Sequence, residues 1–355
     1  MTFLTKKINQ QGITLVELMV AMVIGLILIA GVSQIFISTQ KTYRITEEHS
    51  RLQENTRFGF QFITKDVREA GYTGCRAIEE MNVQTVAQAP VPNYDKDSTI
   101  SGNEATSLTV WAPVLNASIA TTTIGGTDTI TIQKGSSCGA TLTVPMLSSD
   151  AVIQISAANS CNLKKDDTLM ISDCQDAHIF KATTVSSGSP QTITHTVDKN
   201  TGGSLCLNQA GIGTGVCGTG NAKLYGSDSE LLQLTSLTYY IRKGEGGRNA
   251  LWAYDNTAGK ARELIEGVEN MQIKYGVDTT GDDIIDVYQT ANDVGAAANW
   301  GNVISAEISL LVETQADNLT TDKLIYTYNG ATVTSPDNRL RRVFTTVVGI
   351  RNRVQ

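Results

Sequence analysis

The chain has 355 residues and a mass of 38.1 kDa, room for one large domain or two ordinary ones. Its Lys+Arg count of 28 against Asp+Glu 35 leaves a net charge of −7, which argues against a general nucleic-acid coat protein. An apolar content of 41% argues against disorder, and 31 Gly with only 6 Pro fits a strand-rich chain with many turns.

Residues 1–12 are short and polar and include Lys6 and Lys7. Ile13 to Ile37 follow as 25 residues with a single charge, Glu17. At 1.5 Å per residue they reach about 37 Å, enough to cross a bilayer. The lysines ahead of the run favour a cytoplasmic N-terminus, so everything after Thr39 is expected outside the cytoplasm. A cleaved secretory signal has an apolar core of only about 7–15 residues. A plain signal anchor fits length and charge but leaves Glu17 unexplained, because a carboxylate near the start of an apolar helix is costly and flags a function.

The segment Gly12-Ile13-Thr14-Leu15-Val16-Glu17 resembles the type III signal of type IV prepilins and pseudopilins. The resemblance implies cleavage by prepilin peptidase between Gly12 and Ile13 and methylation of the new amino terminus. Ile13 stands where Phe is commoner, and Glu17 takes the fifth mature position. The partner implied for Glu17 is the positive amino terminus of a neighbouring subunit, a pairing that would set axial register. An unpaired buried charge costs several kcal/mol, so such pairing is selective.

From Gln40 to Ala70, Ile45, Leu52, Phe58, Phe62, Ile63, Val67 and Ala70 recur near helical spacing with charges between them. With no proline before Pro90 and Gly71 as a stop, Ile13–Ala70 reads as one helix of about 87 Å. Gly25, Gly31 and Gly59 are candidate flexible points.

Short strands follow. Candidates are Ser107–Ala112, Thr129–Gln133, Ala151–Ser156, Ala182–Ser186, Thr192–Val197, Leu231–Arg242, Ala250–Tyr254, Val268–Tyr275, Val303–Val312 and Val343–Ile350. Residues 237–254 read as a hairpin closed by Lys243-Gly244-Glu245-Gly246-Gly247. Residues 80–105, 199–222 and 313–338 read as long loops. The expected fold class is α+β: a long N-terminal helix, transmembrane and then amphipathic, packed on a large antiparallel β-rich head. The expected divisions are a leader at 1–12, a membrane helix at 13–37, its amphipathic extension at 38–71 and the head at 72–355.

Residues 50–76, residues 262–288 and the tail Arg341–Arg353 resemble PilW-type minor pilins, relatives of the J-type pseudopilin of type II secretion. Residues 80–230 carry no such resemblance.

Cys75, Cys138, Cys161, Cys174, Cys206 and Cys217 all follow the membrane run, as expected of up to three disulfides in an oxidising compartment. Sequence proximity suggests Cys161–Cys174 and Cys206–Cys217, leaving Cys75–Cys138. The rival is a zinc site on Cys174 and His178, which no CxxC pair supports. Asp278, Thr280, Asp282, Ile284 and Asp286 fall on a degraded calcium-loop spacing, with Asp283 where Gly is expected. The alternative is an acidic hairpin turn. Ser137 sits in a G-x-S-x-G match, but the sequence after it reads as strand where a nucleophile elbow needs a helix. Gly213 to Gly218 match G-x-G-x-x-G inside a Cys-bounded loop, the wrong setting for a dinucleotide. Arg339, Arg341, Arg342, Arg351 and Arg353 flank a candidate edge strand and are weighed as a DNA-binding patch.

The resemblance therefore implies a minor pilin without enzymatic activity that helps initiate type IV pilus assembly and sits at or near the tip. No cofactor is required beyond the calcium weighed above. Expected partners are other minor pilins, the major pilin, the inner-membrane assembly platform, prepilin peptidase, a tip adhesin and, before assembly, the lipid bilayer. The expected location is the inner membrane with a periplasmic head, then the pilus tip. The alternatives are a J-type pseudopilin of a type II secretion system, a pilus-borne subunit binding DNA or a surface ligand, and a membrane-anchored hydrolase using Ser137.

Overall fold

A computed structural model describes residues 12–207 and 217–353. The first helix, α1 (Leu15–Arg68), runs 54 residues without a break, about 81 Å at the helical rise. It is two residues shorter at each end than expected. Thr14 is extended and caps the N-terminus, and Glu69 closes the C-terminus after Lys65 and Arg68, cations that complement the helix dipole. Gly71 then takes φ +72°, a left-handed conformation that glycine adopts without penalty. Its N–H donates to the Gln133 carbonyl at 2.9 Å, turning the chain into the head.

The first half of α1 is apolar and touches no part of the head. The second half buries Leu52, Thr56, Gly59, Ile63, Asp66 and Val67, a stripe at helical spacing. Phe58, expected on that stripe, is instead 50% exposed. It stacks edge-to-face on half-buried Phe62 with ring centroids 4.8 Å apart. The helix also runs unbroken through Gly25, Gly31 and Gly59. At Gly59 the missing side chain serves packing: a Cβ there would sit 2.5 Å from Ile265 Cδ1.

The head carries β1 (Asn82–Thr85), β2 (Ile100–Ala105), β3 (Trp111–Ala112), α2 (Ala117–Ala120), β4 (Thr129–Thr141), β5 (Ile153–Ile155), β6 (Thr168–Ser172), β7 (Asp176–Lys181), β8 (Thr184–Val185) and β9 (Gln191–Thr194). It continues with β10 (Glu230–Lys243), β11 (Asn249–Asp255), β12 (Lys260–Glu266), β13 (Val268–Val277), β14 (Val287–Gln289), α3 (Ala291–Ala296), β15 (Val303–Glu313), β16 (Ile325–Tyr328), β17 (Ala331–Thr334) and β18 (Arg341–Gly349). Among the described residues the largest sheet runs β1-β7-β6-β10-β4-β2-β3, with β11 on β10 and β12 on β11. A second sheet runs β14-β13-β15-β18. All pairings in these sheets are antiparallel except β1 with β7.

Two long strands, β4 and β10, organise the head. Their Ile130, Ile132, Tyr239 and Ile241 end packs with Leu52, Ile63 and Val67 of α1 and with Met271, Ile308 and Leu310 of the second sheet. Their other end, at Ala140 and Leu231, packs with Ile153, Ile155, Leu169, Phe180 and Ile193 in a separate core. The head is therefore two lobes threaded by the same strands, and α1 lies on one of them. The stem also meets the head through charge. Lys134 of β4 lies 2.7 Å from Asp66 of α1 and pairs with Glu69, while the Tyr239 hydroxyl donates to Asp66.

The hairpin at 237–254 is present as β10 and β11, paired from Leu237 with Asp255 to Lys243 with Asn249. Ser107–Ala112 shrinks to Trp111–Ala112. Two expected loops contain strands: 80–105 holds β1 and β2, and 313–338 holds the β16–β17 hairpin. Among these strands only Ile100 of β2 and Tyr328 of β16 are buried apolar side chains, too few to announce the strands by apolar alternation. Part of the third loop, and the Gly213–Gly218 match with it up to Val216, falls outside the described residues.

Candidate functional site

The processing segment lies at the free end of the stem. Gly12 and Ile13 are exposed and non-helical, directly before the cap residue Thr14. Residues 1–11, with Lys6 and Lys7, lie outside the described residues. A bond between these two exposed, non-helical residues can be reached without unwinding the helix.

Glu17 belongs to a capping box that sequence reading missed. Its carboxylate accepts from the Thr14 N–H at 3.1 Å and the Thr14 hydroxyl at 3.0 Å, while the Glu17 N–H donates to Thr14 Oγ1 at 3.3 Å. The Thr-x-x-Glu spacing was the available signal. In lipid, first-turn N–H groups have no water to satisfy them, so this reciprocal pair stabilises the helix start where it is most needed. The carboxylate still faces outward, exposed and open to a further cation.

All six cysteines are oxidised, but the pairing differs from the expected one. The bridges are Cys75–Cys174, Cys138–Cys161 and Cys206–Cys217, so only the last agrees. Spatial neighbours are set by the sheet: Cys138 on β4 faces the segment after β5, and the β6–β7 turn carries Cys174 back to the end of α1. This removes Cys174 as a zinc ligand.

His178 is buried. Its Nδ1 lies 2.6 Å from the Tyr225 hydroxyl and its Nε2 2.9 Å from the Cys206 carbonyl. The carbonyl can only accept, so Nε2 carries the proton and Nδ1 accepts from Tyr225. Burial lowers its pKa from 6.5 to about 4. A depressed folded-state pKa means stability that is present above pH 6.5 and lost as pH falls toward 4, at most about 3 kcal/mol. Asp128 and Glu313 act with the opposite sign, since burial pushes them up to about 6 and about 7, and their protonation adds stability as pH falls. Comparison with His178→Gln isolates the histidine: between pH 7.5 and 4.5 the melting temperature of the full chain in detergent should fall more steeply for wild type. Parallel curves would show that His178 carries no such linkage.

The acidic loop folds as a tight turn held by its own carboxylates. Asp278 accepts the N–H groups of Thr280, Gly281 and Asp283, at 3.0, 2.6 and 2.8 Å. Asp286 accepts from the Thr279 N–H and hydroxyl and from the Thr280 N–H. At Asp278 these bonds outweigh desolvation, and both carboxylates are lowered from their ordinary pKa. Asp282 caps Ile284. The carboxylates thus close the turn on itself. Among the described residues no group of three or more His, Cys, Asp or Glu is arranged to hold a metal ion.

Ser137 lies inside β4 and donates to Glu230, with no following helix, so no nucleophile elbow exists there. The tail arginines do not form an open basic patch either. Arg341 is buried among Glu269 at 2.7 Å, Glu313 at 3.1 Å and Asp337 at 2.5 Å. Its hydrogen bond, more than desolvation, sets Asp337 at about 2. Arg353 is buried too, donating to the carbonyls of Trp300, Val303 and Lys96 and to the Thr99 hydroxyl. Arg339 donates to the Thr314 and Gln315 carbonyls, and Arg342 to His49 of α1. Only Arg351 of the five is without a side-chain partner among the described residues.

A capped apolar helix long enough to cross a membrane, joined to a disulfide-braced β head, fits a membrane-anchored pilin. Family comparison agrees: residues 7–33 match the prokaryotic N-terminal methylation motif, and residues 238–352 match the family model described as type IV pilus-assembly protein W. These two matches support a PilW-type type IV pilin. No curated protein and no solved structure matches the chain. The family match takes in β11–β18 and the last part of β10, two of the three segments that resembled PilW-type pilins; residues 50–76 lie outside it.

Proposed function

We propose that this pilin helps start pilus assembly and resides at or near the tip, with its head on the outer side of the inner membrane until it is extracted by the assembly platform. One observation supports this most: the head covers only the second half of α1 and leaves the first half bare and apolar over its whole circumference. Such a surface is satisfied by lipid or by neighbouring stems. The head adds a second lobe beyond the matched module, and a broad head is accommodated most easily where no subunit sits above it. The three disulfides support an extracytoplasmic head. The absence of a nucleophile setting at Ser137 supports a role without chemistry. The match to a pilus-assembly family favours the pilus over a secretion machine. A tip adhesin held by the head belongs to the same proposal.

In this reading cleavage exposes an amine at Ile13, and the outward-facing Glu17 carboxylate takes the amine of the adjacent subunit while still capping Thr14. Glu17→Ala should leave membrane insertion and processing intact and reduce pilus number severalfold, read by membrane fractionation, mass spectrometry and electron microscopy of sheared fibres. Normal piliation in that variant would remove the assembly role of Glu17.

A further inference from the structure

A cleft of about 580 Å³ opens where the end of α1, β4 and the C-terminal tail meet. Lys65, Arg68, Lys134 and Arg351 line it with the carboxylate of Glu69, and a second carboxylate, Glu230, accepts from the lining Ser137 hydroxyl. Lys134 is committed to Asp66 and Glu69. The charged groups of Lys65, Arg68 and Arg351 have no carboxylate within 4.0 Å among the described residues, and all three residues are exposed. Arg351 is held beside the helix: its N–H donates to the Arg68 carbonyl at 3.1 Å, and the next residue, Asn352, donates to the Ala70 carbonyl at 3.0 Å. Lys65 and Arg68 alone would be explained as cations complementing the helix dipole. That role does not account for a third cation tethered opposite them, nor for the concave space between.

We propose that this cleft binds a carboxylate-bearing peptide segment of a partner chain. Two guanidinium forks and an ammonium match carboxylates in geometry and charge. The volume suits a few side chains or a chain end. Nucleic acid fits less well. It needs a track of phosphate contacts and exposed stacking faces. Here the charge is confined to one cleft on a chain of net −7, and Tyr72 is half-buried with its hydroxyl donating to the Gly74 carbonyl. The inference does not depend on where in a fibre the pilin sits.

The test uses the full chain in detergent micelles, titrated with a tetraglutamate peptide blocked at both ends, with tetra-alanine bearing a free C-terminal carboxylate, and with a twelve-residue oligothymidine. Binding of the first peptide assigns acidic side chains, and of the second a chain terminus. Either should weaken at least about tenfold in Arg68→Gln/Arg351→Gln, less in Arg68→Lys/Arg351→Lys, and not in Lys260→Gln. The substituted side chains have no described partner, so the melting temperature should hold; if the glutamine pair fails to fold, the lysine pair decides by the same loss of affinity. No binding of either peptide at millimolar concentration, unchanged affinity in the variants, or a response to the oligonucleotide alone would overturn the proposal.

Discussion

Cys75→Ser/Cys174→Ser is expected to cost the head about 4–5 kcal/mol, the largest loss from any one bridge. The two cysteines are 99 residues apart, against 23 for Cys138–Cys161 and 11 for Cys206–Cys217. Closing a loop of about 100 residues removes about 4.7 kcal/mol of denatured-state entropy, and a loop of about 15 residues about 3 kcal/mol. The long bridge also joins the chain just past α1 to the β6–β7 turn, so it ties the lobe the helix does not touch back to the stem. For a head of this size the loss should lower the melting temperature by about 10 °C, with Cys206→Ser/Cys217→Ser falling by clearly less. Thermal melts of the three proteins under non-reducing conditions decide it. Equal shifts for both variants would show that loop length does not govern the stabilisation.

The stem was the most legible part of the chain because its signals are local. Charge, an uninterrupted apolar run and the Gly12–Glu17 spacing occur in one order, and the helix is continuous as expected. The Thr14–Glu17 cap was equally local, but the apolar run drew the reading of Glu17 toward a distant partner. The hairpin at 237–254 and the strands around it were legible for the same reason, since alternation and a Gly-rich turn sit within a few residues. Disulfide pairing was not legible. It depends on the sheet, which sets Cys138 of β4 against the segment after β5 and the β6–β7 turn against the chain just past α1. The calcium spacing is ambiguous because a run of aspartates has two physical solutions, ligating an ion or capping backbone N–H groups, and here the Asp278 carboxylate accepts backbone N–H groups. The arginine tail misled: Arg341 and Arg353 look like a surface patch until Glu269, Glu313 and the Trp300–Val303 carbonyls are seen around them. Asp66 could have been noticed, since it falls between Ile63 and Val67 on the helix face assigned to the core.

Lys134→Met should cost about 3–5 kcal/mol, because it leaves the Asp66 carboxylate buried against the sheet with only Tyr239 as donor. Both side chains of the ion pair are nearly closed to solvent, at 9% for Lys134 and 12% for Asp66, so water cannot take the lost partner's place. Removing the whole cluster is a different experiment. In Asp66→Leu/Lys134→Met/Tyr239→Phe no buried charge or hydroxyl is left unpaired, and Ile63, Val67 and Ile132 already provide an apolar setting. That triple variant should regain most of the stability lost by Lys134→Met, since a buried ion pair and an apolar replacement of similar volume are often close in energy. The pair would then act mainly to fix how α1 sits on β4 and β10. Denaturant unfolding of wild type, single and triple variants measures the stability, and limited proteolysis after α1 reads whether stem and head still dock. A single variant as stable as wild type would mean that Asp66 is not buried against the sheet, and a triple variant no better than the single would mean that the charges themselves hold the stem in place.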